Sequence, residues 1–476
     1  MKREHLIFLA FFLVGIAIRF ISLSQLDWFL GSDLHVDEIT YVSGDSPPFE
    51  RPPATYMVAS ISSRITVLRW IFSSISLIPA LALFLFRKKN LKNAILAGVL
   101  AIEPTLAFAG LQILPAAPAA AFLALALTAG RKKPVLLGWL VGCAALFRGE
   151  LLLFLPVSII FIRPYKKYLR TAAGVVIAVL PVMAINLISG GPFAIAENGP
   201  LNLWLGSSWE LLETPPGIEF EELMGDGSFM DNALGSIGND IPGWIGRGFV
   251  KTAAFLSIPG PGRNIEAPKL LGSTILRYLL PLTLIIIASG ISGFKRNAVT
   301  ALIITGLAVA FLFFPSMRHR AVFFPVLILS ASNFRWKLAA PIALIIVLIS
   351  LFFHYPAAVR SGLTEVQMAQ NYLESGAFED ALERLKRAEV EGYEGADIHS
   401  IRGACIASSG GEFQQALHEF GLALDMAPES PTAWKNMAAL LWNYGYRDDA
   451  LTAAEKAVSL NPALRLELSP ILNVTH

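Results

Sequence analysis

Three acidic side chains lie close together in the sequence, shortly after the first long apolar run: Asp33, Asp37 and Glu38. Carboxylates at a membrane surface are costly unless they are solvated or paired, so a catalytic base or a metal ligand is a natural role for them. A solvated acidic loop without a chemical role is the alternative. The residues alone leave both interpretations open.

Arginines recur at the ends of later apolar runs, where they are candidates for binding phosphate. A planar guanidinium can hold two phosphate oxygens at once. An arginine that extends to the lipid head groups explains any one of these positions equally well. Glu150 either pairs with the nearby Arg148 or acts in catalysis, and pairing is the expected role. The candidates are Arg148, Arg318 and Arg320, with Arg51 and Arg19 as weaker ones.

Membrane helices are the elements that must position these groups. Of the 476 residues, 54% are hydrophobic and 16% are charged, a balance that a water-soluble fold of this length could not bury in one core. The sequence therefore predicts an all-α, polytopic transmembrane helical bundle of about 11 spans, each near the ~20 residues that a spanning helix needs. The apolar runs lie at 6–23, 66–86, 93–109, 111–129, 134–148, 150–162, 169–189, 270–291, 298–315, 320–333 and 338–355.

Basic residues predict which loops face the cytoplasm. Lys and Arg gather in six clusters at alternate loops: 2–3, 87–89, 131–133, 163–170, 295–296 and 335–337. All six fall on one face only if 134–148 and 150–162 are two helices, and not one helix broken at 148–150. The acidic and arginine candidates then share the outward face. The outward loops are 24–65, 148–150, 190–269 and 316–320, with everything after Tyr355.

Beyond Gly362 the composition becomes polar and an internal repeat begins. Ala381, Ala416 and Ala450, each followed by leucine, recur at spacings of 35 and 34. The pattern resembles the tetratricopeptide repeat, in which small residues let paired helices approach closely and a proline ends the second helix. We therefore divide the chain into 1–360 and 361–476, the second a small α-solenoid of about three repeats. In phase with these alanines are Gly376, Gly411 and Gly445, Ala388, Ala423 and Ala457, and the prolines Pro428 and Pro462.

Two short motifs lie within the first outward loop, Asp37-Glu38-x-x-Tyr41 and Arg51-Pro52-Pro53. Together they resemble the GT-C glycosyltransferases, in the branch of protein O-mannosyltransferases and bacterial aminoarabinose transferases. The likeness covers about residues 5–355. Similar segments follow in the same order: 15–20 with Arg19, 202–206 with Asn202, and Arg318-His319 followed by Pro325.

The chain departs from this family at two corners. Residues 111–118 contain no acidic residue, although the family often places one there. A role that rests on that carboxylate, such as holding a metal ion, is therefore not carried over. His319 stands where the family usually has tyrosine, so the arginine in register is either Arg318 or Arg320.

The resemblance implies transfer of one sugar from a polyprenyl phosphate to an acceptor, with inversion at the sugar carbon by a single displacement. Such a reaction needs a base for the acceptor and positive charge for the departing phosphate. We expect Asp37 to be the base, with Glu38 or Asp33 as alternatives. The expected substrate-binding residues are Asp33, Tyr41, Arg51, Arg148, Asn202, Arg318 and Arg320.

The expected partners follow from this function. The donor is a polyprenyl-phosphate sugar, and the acceptor is a protein or a lipid on the extracytoplasmic face of a prokaryotic cytoplasmic membrane. The repeats would lie on the same face and present a protein acceptor or recruit a protein partner. The sequence identifies no metal site, and a net charge of +2 gives no reason to expect nucleic acid.

Two other functions are open at this point. A non-catalytic membrane scaffold for envelope assembly would act through its repeats alone, but an anchor needs only one helix. A transporter or lipid flippase predicts ionisable groups near the middle of the membrane and two related halves. The charges cluster at the ends of the apolar runs instead, which favours the transferase.

Overall fold

The computed structural model describes residues 2–30, 41–42, 51–208, 228–258, 274–295, 297–352, 362–374, 376–465 and 467–472. Within these ranges the regular structure is helical and contains no strand, as the prediction of an all-α fold requires. The chain divides into two compact units, Met1–Val359 and Arg360–His476.

The first unit contains helices α1 to α18 and two short 3-10 helices, Gly149–Leu153 and Ile275–Leu279. The α-helices are, in order, Arg3–Leu30, Ala54–Ala59, Ile65–Ile75, Ile78–Phe86, Leu91–Ala101, Pro104–Gly110, Ala116–Thr128, Pro134–Ala145, Phe154–Phe161, Tyr165–Ile188, Asn198–Leu205, Phe229–Asn239, Ile241–Leu256, Leu280–Ser292, Ala298–Leu312, Met317–Ala321, Phe324–Ala331 and Trp336–Phe352.

Four helical stretches among the described residues are long and apolar enough to cross a membrane: Arg3–Gln25, Ile65–Phe86, Tyr165–Ile188 and Ile275–Ser292. The bent pair α5 and α6 makes a fifth if it counts as one span. Several long apolar helices of this kind indicate an integral membrane protein. The shorter apolar helices are Ala116–Thr128, Pro134–Ala145, Gly149–Phe161, Ala298–Leu312 and Trp336–Phe352.

The bend between α5 and α6 is 49° and follows from two residues. Pro104 begins α6 and disfavours helical backbone at the residue before it. Glu103 is accordingly extended, with φ −62° and ψ 121°, and its side chain caps α6 by accepting a hydrogen bond from the Leu106 N–H. The apolar run 93–109 therefore forms two helices joined at a buried carboxylate.

Small residues let the long helices approach closely. A Cβ atom added to Gly138 in α8 would lie 1.8 Å from the Thr171 carbonyl oxygen in α10, and one added to Gly174 would lie 2.1 Å from the Val135 carbonyl oxygen. Such contacts are typical of helix pairs that pack in membranes. Gly15 makes a similar approach between α1 and α5, where an added Cβ would lie 2.6 Å from the Ala101 oxygen. Alanine-rich α7 is buried on nearly all sides and forms the centre of the unit.

The chain reverses between α8 and α9. Arg148 has an extended backbone, which ends the helical run before the 3-10 helix Gly149–Leu153. Pro134 at the start of α8 and Ile162 just after α9 line the same cavity. Residues 134–148 and 150–162 are therefore two helices that run away from and back to one end of the bundle, as the basic clusters predict.

The second unit is built from helical hairpins. Helices α19 to α25 are Leu363–Glu374, Phe378–Val390, Ala396–Ser408, Phe413–Met426, Pro431–Asn443, Arg447–Leu460 and Ser469–Leu472. The in-phase alanines of the sequence repeat are all fully buried where the helices pack: Ala381, Ala416, Ala450, Ala388, Ala423 and Ala457.

Glycine allows the tight turn inside each hairpin of the second unit. Gly376, Gly410 and Gly445 have φ values of 80°, 77° and 86°, in the left-handed region that L side chains rarely adopt. The repeat spacing predicts Gly411 as the equivalent of Gly376 and Gly445. In the structure, the glycine with the left-handed backbone in the middle hairpin is instead its neighbour Gly410. Cys405 is fully buried in α21, and this burial raises the pKa of its thiol to about 11.

Candidate functional site

The loop predicted to be the first outward one brings two of the expected site residues into contact. The guanidinium carbon of Arg51 lies 5.6 Å from the centre of the Tyr41 ring, a distance suited to a cation–π interaction. The Tyr41 ring also packs on Tyr56 of α2, with the ring centres 4.9 Å apart. Asp33, Asp37 and Glu38 lie outside the described residues, so their roles stay predictions from the sequence.

A backbone hydrogen bond joins this loop to the corner between α8 and α9. Ala54 follows the Arg51-Pro52-Pro53 motif, and its N–H donates to the Leu146 carbonyl oxygen at 3.2 Å. Leu146 lies two residues before Arg148. The bond therefore brings the backbone of the Arg51 motif to the corner that carries Arg148.

Arg148, Glu150 and His319 form a cluster at this corner. The Nε of Arg148 donates to Oε1 of Glu150 at 2.5 Å, so the expected pair is present. The same oxygen lies 3.5 Å from Nε2 of His319 in α16. His319 in turn shares a hydrogen bond with Ser316, with Nδ1 and Oγ 2.5 Å apart. Glu150 thus connects two corners that are about 170 residues apart in the sequence.

The terminal nitrogens of Arg148 are the groups at this corner best suited to an anion. Among the described residues, the Arg148 side chain bonds only through Nε, to Glu150. The side chain is 12% exposed. Glu150 therefore fixes the plane of the guanidinium and leaves both Nη groups available, which is the arrangement that two-pronged phosphate binding needs.

The two arginines of α16 are placed differently. Arg320 is 1% exposed, and its Nη1 donates to the carbonyl oxygen of Phe255 at 3.1 Å and to that of Ser257. It ties α16 to the end of α13. Arg318 is half-buried at the same turn. Of the two positions that the sequence left open, Arg318 is the more accessible to a substrate.

Asn202 lies in α11, which a buried lysine holds against the chain leading to α16. The Lys251 ammonium donates to the carbonyl oxygens of Gly206 at 2.6 Å, Phe313 at 2.8 Å and Leu312 at 3.3 Å. A buried ammonium is stable only when such acceptors replace water. Asn202 therefore lies one turn before the end of α11 that Lys251 joins to residues 312–313.

Glu103 is a buried acid that sequence reasoning missed. Its side chain has no exposed surface, and Oε1 accepts a hydrogen bond from Thr283 at 2.9 Å while Oε2 caps α6. Its charge interacts with those of Arg19 and Arg320. The sequence contains a signal: Glu103 is the only acidic residue between Arg51 and Gly149.

Arg19 joins three helices next to this acid. Its Nε donates to the Ser76 hydroxyl at 2.7 Å, and its Nη1 donates to the carbonyl oxygens of Ala101 at 2.6 Å and Gly15 at 3.0 Å. The side chain is 2% exposed. These contacts indicate a structural role for Arg19. The side chain joins α1 and α5 to Ser76, the residue that directly follows α3.

Two acidic residues of the segment 190–269 cap helices. Asp231 forms a capping box with Ser228 at the start of α12, and Asp240 accepts from the Gly243 N–H and from Arg247, both at 2.9 Å. The Ser228 hydroxyl lowers the pKa of Asp231, and the Gly243 N–H, followed by Arg247, lowers that of Asp240. In the part of the chain that the structure describes, no group of three His, Cys, Asp or Glu side chains is arranged to hold a metal ion.

The corner residues thus form one region: Tyr41 with Arg51, then Arg148, Glu150 and His319, with Arg318 beside them. A comparison with models of known protein families finds no match, and neither does a search of curated proteins. The chemistry of this region therefore depends on its geometry and on the motifs of the first loop.

Proposed function

We propose that the first unit is a membrane glycosyltransferase of the GT-C type. It transfers a sugar from a polyprenyl-phosphate donor to a protein or lipid acceptor on the extracytoplasmic face. The bundle then has eleven spans, with α16 and α17 as the tenth, and lies in the cytoplasmic membrane of a prokaryote. The observation that supports this proposal most is the contact of Glu150 with both Arg148 and His319, next to the Arg51 motif.

In the proposed reaction, an acceptor hydroxyl or amine attacks the anomeric carbon of the sugar. The bond from that carbon to the phosphate oxygen breaks, and its electron pair stays on the phosphate. The acceptor proton passes to the Asp37 carboxylate, with Glu38 and Asp33 as the alternative bases. Attack from the side opposite the phosphate inverts the anomeric carbon.

The arginines act on the leaving group. The bond to Glu150 uses only Nε of Arg148, so the Nη groups can donate to the phosphate and stabilise the charge that develops on it. Arg318 and Arg51 add positive charge at neighbouring corners. Arg320 and Lys251 hold the helices in place through backbone carbonyls and need not touch the substrate.

The second unit is proposed to be a stack of three tetratricopeptide-like repeats on the extracytoplasmic side. The in-phase buried alanines and left-handed glycines support this assignment. Stacks of this kind bind peptides and proteins. We propose that the unit presents a protein acceptor or recruits a protein partner.

Loss of Arg148 is expected to remove the sugar increment from the acceptor. Arg148→Ala deletes the two Nη donors and should slow transfer about 10²- to 10³-fold, as for other donors that stabilise developing negative charge. The measurement is mass spectrometry of envelope proteins and lipids from cells with no copy of this chain, with the wild type, or with the variant. The wild type should add one hexose, pentose or amino sugar to a defined acceptor.

Arg64→Ala is the matched control, because Arg64 is an exposed arginine in the same predicted outward loop as Arg51. It should preserve the increment. Identical glycan masses in all four strains would reject the transferase. Altered envelope assembly without a change of mass would point to the scaffold function.

A further inference from the structure

A cavity of about 340 Å³ lies among the loops that carry the basic clusters, and it shares no residue with the site described above. Five of the six basic clusters flank it, because the loops between successive helices meet there. Its lining residues come from the ends of seven helices. We call the polar lining residues the rim and the large apolar ones the floor. The rim consists mainly of Arg87, Arg131, Arg163, Lys167, Asn297 and Ser332.

The loops that border the cavity are rich in positive charge and contain no acidic residue. The five loops that border it, 87–92, 130–134, 162–170, 294–297 and 332–337, contain 15 Lys and Arg residues and no Asp or Glu. A preference for positive charge in cytoplasmic loops explains the number of these residues. That preference does not explain why four of these cations, from three separate loops, line one concave site.

The four rim cations have no partner among the residues that the structure describes. The side chains of Arg87, Arg131, Arg163 and Lys167 make no ion pair or hydrogen bond there. Burial, and then the charge of Arg131, lower the pKa of Arg87. Like charges held together in this way favour an anion between them.

Three helices also point their N-termini at the cavity. Helix α8 begins at Pro134 and α15 at Ala298, both of which line it, and α10 begins at Tyr165 between the lining residues Arg163 and Lys167. Helix N-termini carry partial positive charge and unpaired N–H groups, which adds to the attraction for an anion.

The apolar part of the cavity favours an anion that carries hydrocarbon. Its floor consists of Leu127, Leu137, Phe161, Ile162 and Leu329. Large apolar side chains beside the basic loops are exposed as well, with Phe86 at 54% and Trp336 at 67%. A soluble anion would leave this surface in water, whereas acyl chains would cover it.

We propose that this cavity binds a phosphate group, and that the phosphate belongs to an anionic phospholipid of the cytoplasmic leaflet. Basic pockets between membrane helices on that side are suited to such head groups. Phosphatidylglycerol, a phosphodiester with a net negative charge, has the required chemistry. This proposal is independent of sugar transfer, because the cavity shares no lining residue with the proposed active site.

The test compares two triple variants of the full chain, purified in detergent. Arg87→Gln, Arg131→Gln and Arg163→Gln together remove three rim cations. Lys88→Gln, Lys132→Gln and Lys166→Gln remove the same number of charges from the same loops outside the lining, so effects on topology are matched. Native mass spectrometry measures the dissociation constant of phosphatidylglycerol, with phosphatidylcholine as the zwitterionic reference.

The wild type should bind phosphatidylglycerol more tightly than phosphatidylcholine. Each lost rim cation should weaken binding roughly fivefold, and three on the order of a hundredfold, whereas the control triple should change it less than about fivefold. If the rim triple variant does not fold, Arg131→Gln alone should still give the roughly fivefold loss, because Arg131 is exposed.

Inorganic phosphate distinguishes the source of the anion. Millimolar phosphate should displace phosphatidylglycerol from the wild type but should not displace the residual lipid from the rim variant. This result would support recognition of the phosphate itself. Equal losses in the two triple variants would show that the loops act only through their overall charge and would overturn the site. Phosphate binding with no preference between the two lipids would overturn the lipid assignment.

Discussion

Replacing Asp37 with asparagine is expected to reduce sugar transfer by about 10²- to 10⁴-fold, the usual contribution of a positioned general base. Asparagine has nearly the same size but cannot accept the acceptor proton. The measurement is the rate at which the sugar increment forms on the acceptor, with the variant expressed at the wild-type level. Folding should be unchanged, because asparagine is nearly isosteric with aspartate.

Asp45→Asn is the matched control for this variant. Asp45 lies in the same predicted outward loop and loses the same charge. It should transfer sugar at close to the wild-type rate. Full activity of Asp37→Asn, together with a loss in Glu38→Gln or Asp33→Asn, would assign the base to that other carboxylate and refute the role of Asp37.

Glu103→Ala should destabilise the first unit by several kcal/mol, because it leaves two buried donors unsatisfied at a cost of about 1–3 kcal/mol each. The change removes the acceptor for the Thr283 hydroxyl and the Leu106 N–H. It also leaves Arg19 and Arg320 without the opposite charge with which they interact. The free energy of unfolding, measured with denaturant in detergent micelles, reports the loss.

Two variants separate the contributions of Glu103. Glu103→Gln keeps one carbonyl oxygen as an acceptor but removes the charge, so it should lose less stability than Glu103→Ala. Glu197→Ala changes an exposed acid and should stay within about 0.5 kcal/mol of the wild type. An effect of Glu103→Ala as small as that of Glu197→Ala would mean that the buried acid does not stabilise the bend.

Patterns that depend on local physics could be predicted from the sequence. The apolar runs indicated helices, and the alternating basic clusters indicated a reversal at 148–150, where the structure turns the chain. The repeat spacing located alanines that are all fully buried. Each of these features follows from periodicity or charge along the chain, so no distant contact is needed to infer it.

Features that depend on tertiary contacts could not be predicted in this way. Glu103 lies inside an apolar run, whereas the related family often has its acidic residue at the corner 111–118. Its burial is tolerable only because a proline breaks the helix there and Thr283, about 180 residues later, supplies a hydrogen bond. The same holds for Arg320, whose bond to Phe255 distinguishes it from Arg318.

The face of the membrane on which the acidic loop and Arg148 lie can be measured directly. In a background with Cys143 and Cys405 replaced by alanine, Ser63→Cys reports the first loop and Gly149→Cys reports the Arg148 corner, where an added side chain meets no atom within 4 Å. Lys132→Cys reports the basic end. A small membrane-impermeant thiol reagent is applied to intact cells and then to permeabilised ones.

Both Ser63→Cys and Gly149→Cys should react in intact cells, and Lys132→Cys should react only after permeabilisation. That result would put the proposed base and the phosphate-binding arginine together on the outer surface, where a polyprenyl-linked sugar and an envelope acceptor can meet. Reaction of Gly149→Cys only after permeabilisation, as for Lys132→Cys, would contradict the proposed active centre.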